Sequence, residues 1–313
     1  MKITASHKQK PRSPRRPGVS VVGAGRLGTA LALALESHGY RVEAVVTRHQ
    51  ATARRAAGLL SRSTRALTAR RIEELPQSDL ILVATPDDAI AETAAALAAA
   101  QRDRVRGRTV LHTSGACSST ALAALSEVGF NVGSIHPLVS VSEPRSGAAK
   151  LRDAFFCVEG DRRAVRVARA VARALGGQTF SIDARYKPLY HAAAVTSSGF
   201  VVALFDVAVE MLSRCGLSRR RAQKVLVPLI ESAVTNLSST TPAGALTGTF
   251  SRGDVATVRK HLAALNSEDL SAALVVYATL GKRSLALAQE SGTRGVAFDQ
   301  ITEILAGISV RQF

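Results

Sequence analysis

The chain has 313 residues, 46% of them hydrophobic and 21% charged, with a formal net charge of +17 and three cysteines. That length accommodates two domains with cores of their own, and the composition excludes a fibrous or wholly disordered chain. Cys117, Cys157 and Cys215 are widely spaced, odd in number and without metal-ligand spacing, so reduced thiols, a cytoplasmic location and no metal centre are expected.

Residues 1–17 hold Lys2, Lys8, Lys10, Arg12, Arg15 and Arg16 with no acid and read as a disordered basic tail. Pro11 to Pro17 is polar and proline-broken, unlike the apolar core of a secretory signal. The organising stretch follows. Val19 to Val22 is a short β-branched run, Gly23-Ala24-Gly25-Arg26-Leu27-Gly28 is a glycine turn, and Thr29 to Leu35 is an apolar helix. A lone G-x-G-x-x-G is weak, but one placed between a buried strand and a helix has the context of the dinucleotide fingerprint. Gly23 would allow the tight turn, Gly25 the close approach of a pyrophosphate, and Gly28 the packing of helix on strand. Ala24, Arg26 and Leu27 complete the phosphate-binding turn, whose helix start offers unpaired N–H groups.

The helix should stop near Gly39, and Arg41 to Val46 should be the next strand. It ends at Thr47-Arg48-His49 with no acid for a ribose 2′-hydroxyl. Thr47 and Arg48 therefore suggest NADP over NAD, because a nearby arginine accommodates a 2′-phosphate; an N-cap threonine beside a solvated arginine would read the same. Residues 51–60 form an Ala/Arg helix before a polar connector, and Asp79 to Ala84 is a buried strand. Ala84-Thr85-Pro86 turns into a helix running to about Ala100 and should pass near the cofactor, unless the turn is purely structural.

Thr109 to Thr113 is a further strand, and Ser114 is a candidate for contacting substrate or the nicotinamide amide, or for a plain N-cap. Asn131 to Leu138 is a strand ending at His136-Pro137. A histidine there can reach the crevice mouth as a proton donor, or serve a structural hydrogen bond. Strands at 154–160 and 178–182, separated by a helix over 162–175, bring the count to about eight. From Tyr186 the pattern is helical: 186–215, 218–237, 255–265, 267–290 and 298–308. The expected domains are therefore the tail, a nucleotide-binding domain over 18–183 and an all-helical domain over 184–313. Scattered arginines without aromatic platforms argue for solvated faces and no specific nucleic-acid partner. A search for apolar runs of roughly 18 residues predicts no membrane span.

The glycine turn, His112-Thr113-Ser114-Gly115, Gly133 to Leu138, Tyr186-Lys187-Pro188-Leu189-Tyr190-His191, Ala245 to Gly248 and Arg252-Gly253-Asp254 together resemble bacterial Rossmann-like proteins with a C-terminal domain of unknown function, labelled as NADP oxidoreductases. The resemblance extends to pyrroline-5-carboxylate reductase and the β-hydroxyacid and 6-phosphogluconate dehydrogenases. It implies a doubly wound, mostly parallel Rossmann sheet, then an all-helical domain of the 6-phosphogluconate-dehydrogenase type that binds a small-molecule substrate and forms a homodimer. The family usually carries Gln where this chain has Val139 and Asn where it has Gly199.

Hydride transfer to a small carbonyl or imine needs a proton donor near the acceptor. His191 is the first choice, with Lys187 one helical turn before it and His136 as the other donor. An interdomain histidine and a surface lysine are the plainer readings of His191 and Lys187. A dinucleotide-binding sensor or scaffold with little turnover is the alternative, because fold does not fix function.

Overall fold

The computed structural model describes residues 17–101 and 105–308, and all but the last residue of the basic tail read over 1–17 lies outside them. Contacts divide the chain into Met1–Thr196 and Ser197–Phe313. The composition changes at 183–186, whereas the contacts keep the next helix with the sheet.

The first unit runs β1 (Gly18–Val22), α1 (Arg26–Ser37), β2 (Arg41–Thr47), α2 (Gln50–Ala57), β3 (Arg65–Thr68), β4 (Leu80–Val83), α3 (Ile90–Ala99), β5 (Thr109–His112), α4 (Ala123–Glu127), β6 (Asn131–Pro137), α5 (Pro144–Lys150), β7 (Phe155–Gly160), α6 (Arg162–Ala174), β8 (Gln178–Phe180) and α7 (Lys187–Thr196). The eight strands lie in the order β3-β2-β1-β4-β5-β6-β7-β8. They pair in parallel except for β6 with β7. All residues of β1, β4 and β5 are buried, as parallel strands covered on both faces must be. Period-two alternation then splits them between two cores. Val21, Leu80 and Leu82 join Leu31, Leu35 and Ile135 on one face. Val22, Ile81 and Val83 join Leu97, Leu125 and Phe130 on the other.

Two elements differ from the sequence expectation. The eighth strand is β3, inside the stretch read as helix and connector; only its Leu67 is buried, so it carries almost no apolar signal. The short α5 begins at Pro144, with the Glu143 carboxylate accepting from the Arg145 and Ser146 N–H groups, an N-cap arrangement in a segment without helical periodicity.

The second unit is helical: α8 (Gly199–Arg214), α9 (Arg219–Ser239), α10 (Pro242–Ala245), α11 (Val255–Ser267), α12 (Ser271–Glu290) and α13 (Val296–Ala306). Val258, Leu285, Phe298, Ile301 and Leu305 form its main core. Ser218 caps α9 and Asp254 caps α11 through side-chain oxygens. The single helix expected over 186–215 is two, because Ser198 leaves helical geometry at φ −129° and ψ −73°.

The expectation of no membrane-length apolar run is corrected. Pro188 to Phe205 is 18 residues without Asp, Glu, Lys or Arg. A window within Ala184–Arg214 is long and apolar enough to cross a membrane, with 6% of it buried. Backbone interruption at Ser198 and the buried Lys187 divide that stretch.

Candidate functional site

The carboxyl ends of β1, β4, β5 and β6 lie side by side, and the strand order reverses between β1 and β4. Such switch points open a crevice above the sheet. At the end of β1, Gly23 takes φ +94°, and its N–H donates to the Val46 carbonyl at 2.8 Å. A Cβ on Gly23 would sit 2.5 Å from the Ala84 backbone, and one on Gly28 2.4 Å from the Gly23 carbonyl oxygen. Both positions are closed to any other residue. A Cβ on Gly25 would instead meet nothing nearer than 4.0 Å. Gly25 and Arg26 are exposed and Leu27 half-buried, while Ala24 is buried and its carbonyl accepts from Thr29 Oγ1 at 3.0 Å. Helix α1 starts at Gly25 with no side-chain cap and no acid in its first turn, leaving its N–H groups for an anion.

At the end of β2 the Thr47 hydroxyl donates to the His49 carbonyl at 2.8 Å. Arg48 is exposed and makes no ion pair among the described residues. At the end of β4, Ala84 supports the glycine turn and Pro86 is exposed. Between them Thr85 Oγ1 is buried without a hydrogen-bond partner. An orphaned buried hydroxyl costs about 1–3 kcal/mol, so such an atom marks a place where a ligand group would be welcome.

At the end of β5, Ser114 Oγ accepts from the N–H groups of Ala116 and Cys117 at 3.1 and 2.9 Å, the capping role that its position also allowed. The Ser114 N–H donates to His112 Nδ1 at 3.2 Å, so His112 carries its proton on Nε2, which donates to the Ser118 carbonyl at 3.1 Å. Burial, with the Lys187 charge nearby, pushes His112 down to about 4.

Helix α7 brings three side chains over β5 and β6. Lys187 is fully buried, not a surface charge. Its Nζ donates to Ser134 Oγ at 2.8 Å and to the Ser114 carbonyl at 3.3 Å. Ser134 donates onward to Glu159 at 3.3 Å, and Glu159 also accepts from the Ser119 N–H and hydroxyl at 2.9 and 2.6 Å. Burial lowers the Lys187 ammonium against the opposing pull of Glu159. One turn on, Tyr190 Oη lies 2.6 Å from His136 Nδ1, and burial raises the phenol, as does the neighbouring Cys157. His191 packs edge-on against His136 with ring centroids 5.5 Å apart, and its Nδ1 is buried without a partner. Burial, then His191 and Lys187, push His136 down to about 4. These surroundings favour the uncharged imidazole of His136 at neutral pH.

Helix α7 and β6 thus bring the three expected catalytic residues, the donors His191 and His136 with Lys187, together above Ser114. Sequence reasoning gave no role to Tyr190, Gly115, Cys157, Ser134 or Glu159. Tyr190, Gly115 and Ser134 stood inside the motifs that carry the family resemblance. The sheet register, His136 opposite Cys157 and Ser134 opposite Glu159, comes from the antiparallel pairing of β6 and β7, which no local sequence signal marks.

A switch-point glycine turn in a mostly parallel eight-stranded sheet, followed by a helical C-terminal region, defines a Rossmann-type protein of two units. Residues 3–137 match the Rossmann-like domain and residues 154–284 match a domain of unknown function (DUF2520); the chain belongs to the proteins that join these two domains. The cluster draws on both, with His136 in the first match and Cys157, Lys187, Tyr190 and His191 in the second. No curated protein matches the sequence. Among solved structures, a presumptive NADP oxidoreductase from Bacteroides fragilis is 22% identical, with a TM-score of 0.72 over 88% of this chain and 100% of that one. A reductive aminase from Aspergillus terreus, in complex with NADPH and ethyl levulinate, is 18% identical with a TM-score of 0.61 over 92% and 99%. The Plasmodium falciparum pyrroline carboxylate reductase with NADP bound is 12% identical with a TM-score of 0.55 over 88% and 99%. At these identities the likeness is one of fold.

Proposed function

We propose that the protein is an NADP-dependent oxidoreductase that transfers a hydride between NADP(H) and a small carbonyl or imine substrate. The observation that carries the reading is a pair of buried, unpartnered polar atoms, Thr85 Oγ1 and His191 Nδ1, on segments bordering the crevice into which the Gly25 backbone opens. The donor set fits the cofactor: uncapped N–H groups at Arg26, Leu27 and Gly28 for the pyrophosphate, Thr47 and Arg48 for the 2′-phosphate, and Ala84, Thr85, Pro86 and Ser114 along the ribose and nicotinamide. When bound, the dinucleotide supplies or accepts the hydride. The fold shared with NADP- and NADPH-bound reductases is in keeping with this reading.

In this scheme His191 hands a proton to the substrate heteroatom, being partly exposed and on the helix above the crevice. Lys187 acts from behind. With no exposed surface, it fixes the Ser114 carbonyl and ties β5 to β6. The helical region forms a homodimer through exposed apolar side chains of α8 and α9, the i, i+4 pairs Phe200 and Leu204, and Val225 and Leu229.

Titration of the cofactor's fluorescence tests the first half. NADPH should bind about tenfold or more tightly than NADH, and Arg48→Glu should erase the preference; equal affinities in the parent chain would sink the NADP assignment. Oxidation of NADPH across ketoacids, aldehydes and imines tests the second half. A chain that binds NADPH and turns over none of them is the sensor of the alternative reading, and undiminished turnover in His191→Ala removes the donor.

A further inference from the structure

We infer that Gly115 is a positioning residue for His191: the missing side chain at 115 lets the His191 ring seat against the backbone with Nδ1 closed off, which leaves Nε2 for the substrate. This role rests on the reading of His191 as the proton donor and names what sets that donor's place.

A side chain at 115 would strike the two imidazoles before anything else. Its Cβ would lie 2.4 Å from His191 Nδ1, 2.9 Å from His136 Cε1 and 3.0 Å from His136 Nε2. At Gly23 and Gly28, by contrast, an added Cβ meets backbone first. Gly115 also lacks the positive φ that Gly23 takes, so its own backbone conformation does not require glycine. The demand for glycine at 115 comes from the rings.

The backbone beneath those rings is tied on both sides of Gly115. The Ser114 carbonyl accepts from Lys187 Nζ at 3.3 Å, and the Ser114 N–H donates to His112 Nδ1 at 3.2 Å. Ser114 Oγ accepts from the Ala116 and Cys117 N–H groups at 3.1 and 2.9 Å. A methyl group at 115 therefore has to move a ring, not the chain. His136 is held at its far nitrogen, Nδ1, which lies 2.6 Å from Tyr190 Oη. His191 Nδ1 is buried with no hydrogen-bond partner, and the residue as a whole is half-buried. Only packing keeps that ring in place, edge-on to His136, so His191 is the ring that yields. Turning one half-buried ring costs the fold little, whereas a donor misplaced by about 1 Å loses roughly 100-fold in rate.

Gly115→Ala in the full chain tests this role. Proton–nitrogen-15 correlation spectra of the imidazoles should show the His191 signals displaced and those of His38, His49 and His261 unmoved. The urea midpoint and the NADPH affinity should stay as in the parent chain. The kcat for whichever ketoacid, aldehyde or imine the parent turns over should fall about 100-fold with KM little changed. In a His191→Ala background the same methyl group should cost little further, because the ring it strikes first is gone. His191 signals that stay in place in Gly115→Ala overturn the inference, as does a methyl group that lowers kcat by the same factor with and without the His191 ring. Should Gly115→Ala fail to fold, Gly115→Ala/His191→Ala decides: recovery of the fold shows that the ring was the obstacle, and continued failure shows that the backbone demanded the glycine and overturns the role. The failure of the donor reading looks different. Undiminished turnover in His191→Ala removes the donor, while displaced His191 signals in Gly115→Ala would still mark Gly115 as the seat of that ring.

Discussion

The sheet unit and the helical unit solve the burial problem differently. In the first, helices cover both faces of the strands, and large side chains such as Phe156, Leu82 and Leu111 are fully buried within one chain. In the second, the main core is one small cluster, and α8 and α9 leave Phe200, Leu204 and Leu229 exposed by 60%, 44% and 67%. A face of that kind, beside an apolar groove of about 340 Å³ lined by Leu204, Phe205, Met211 and Leu226, is an incomplete core. Polar groups divide in the same way. The sheet unit buries the Lys187 ammonium and the His112 imidazole, with His136 and Glu159 half-buried beside them, so its stability is exposed to backbone geometry and proton concentration. That of the helical unit depends on what covers its apolar side.

The largest effect on folding expected of any single group is at Gly23. An alanine there must hold φ +94° and place its Cβ 2.5 Å from the Ala84 backbone, at a cost of about 3 kcal/mol or more. Hydrogen exchange resolves where the loss falls. Amides of β1 and β4 should lose protection in Gly23→Ala while those of α12 and α13 keep theirs. Equal loss in both would mean that the two regions open as one, and the contrast between them would break.

Acid should come next. His112 and His136 have folded values of about 4 against an ordinary 6.5. Between those limits the unfolded chain binds protons that the folded chain refuses, so stability falls as pH falls from 6.5 towards 4, by up to about 3 kcal/mol for each group. Urea midpoints at pH 7 and pH 4.5, followed through the exchange of β5 and β6 amides, measure it. A flat profile would show that both imidazoles charge in place.

Sequence showed most of the fold and half of the site, and the division has a physical cause. The apolar runs of β1, β4 and β5 read as strands because a parallel strand buried on both faces must be apolar throughout. The glycine turn was legible because two close approaches, at Gly23 and Gly28, demand residues without a Cβ. The edge strand β3 with its single buried residue was not legible, nor was the break at Ser198 in an otherwise continuous apolar stretch. Lys187 read as a surface charge because a lysine is rarely buried unless paired, and its partners Ser134, Ser114 and, through Ser134, Glu159 come from strands more than 25 residues away. Tyr190 and Cys157 were silent for the same reason: what they do depends on β6 and β7 running antiparallel.

The smallest effect on the single chain, and the sharpest test of the contrast, is expected from Leu229→Glu. Leu229 already faces solvent over two thirds of its surface, so a carboxylate there should leave helix content and the exchange of both units unchanged. On the proposed pairing, the same carboxylate would be forced into an apolar interface. That weakens association by about 2–4 kcal/mol, or roughly 30- to 1,000-fold in the dimer dissociation constant. Sedimentation velocity should therefore find a dimer for the parent chain and a monomer for the variant at the same concentration. Dimers in both would move the interface off α9, and monomers in both would leave the incomplete core to be covered by something other than a second copy.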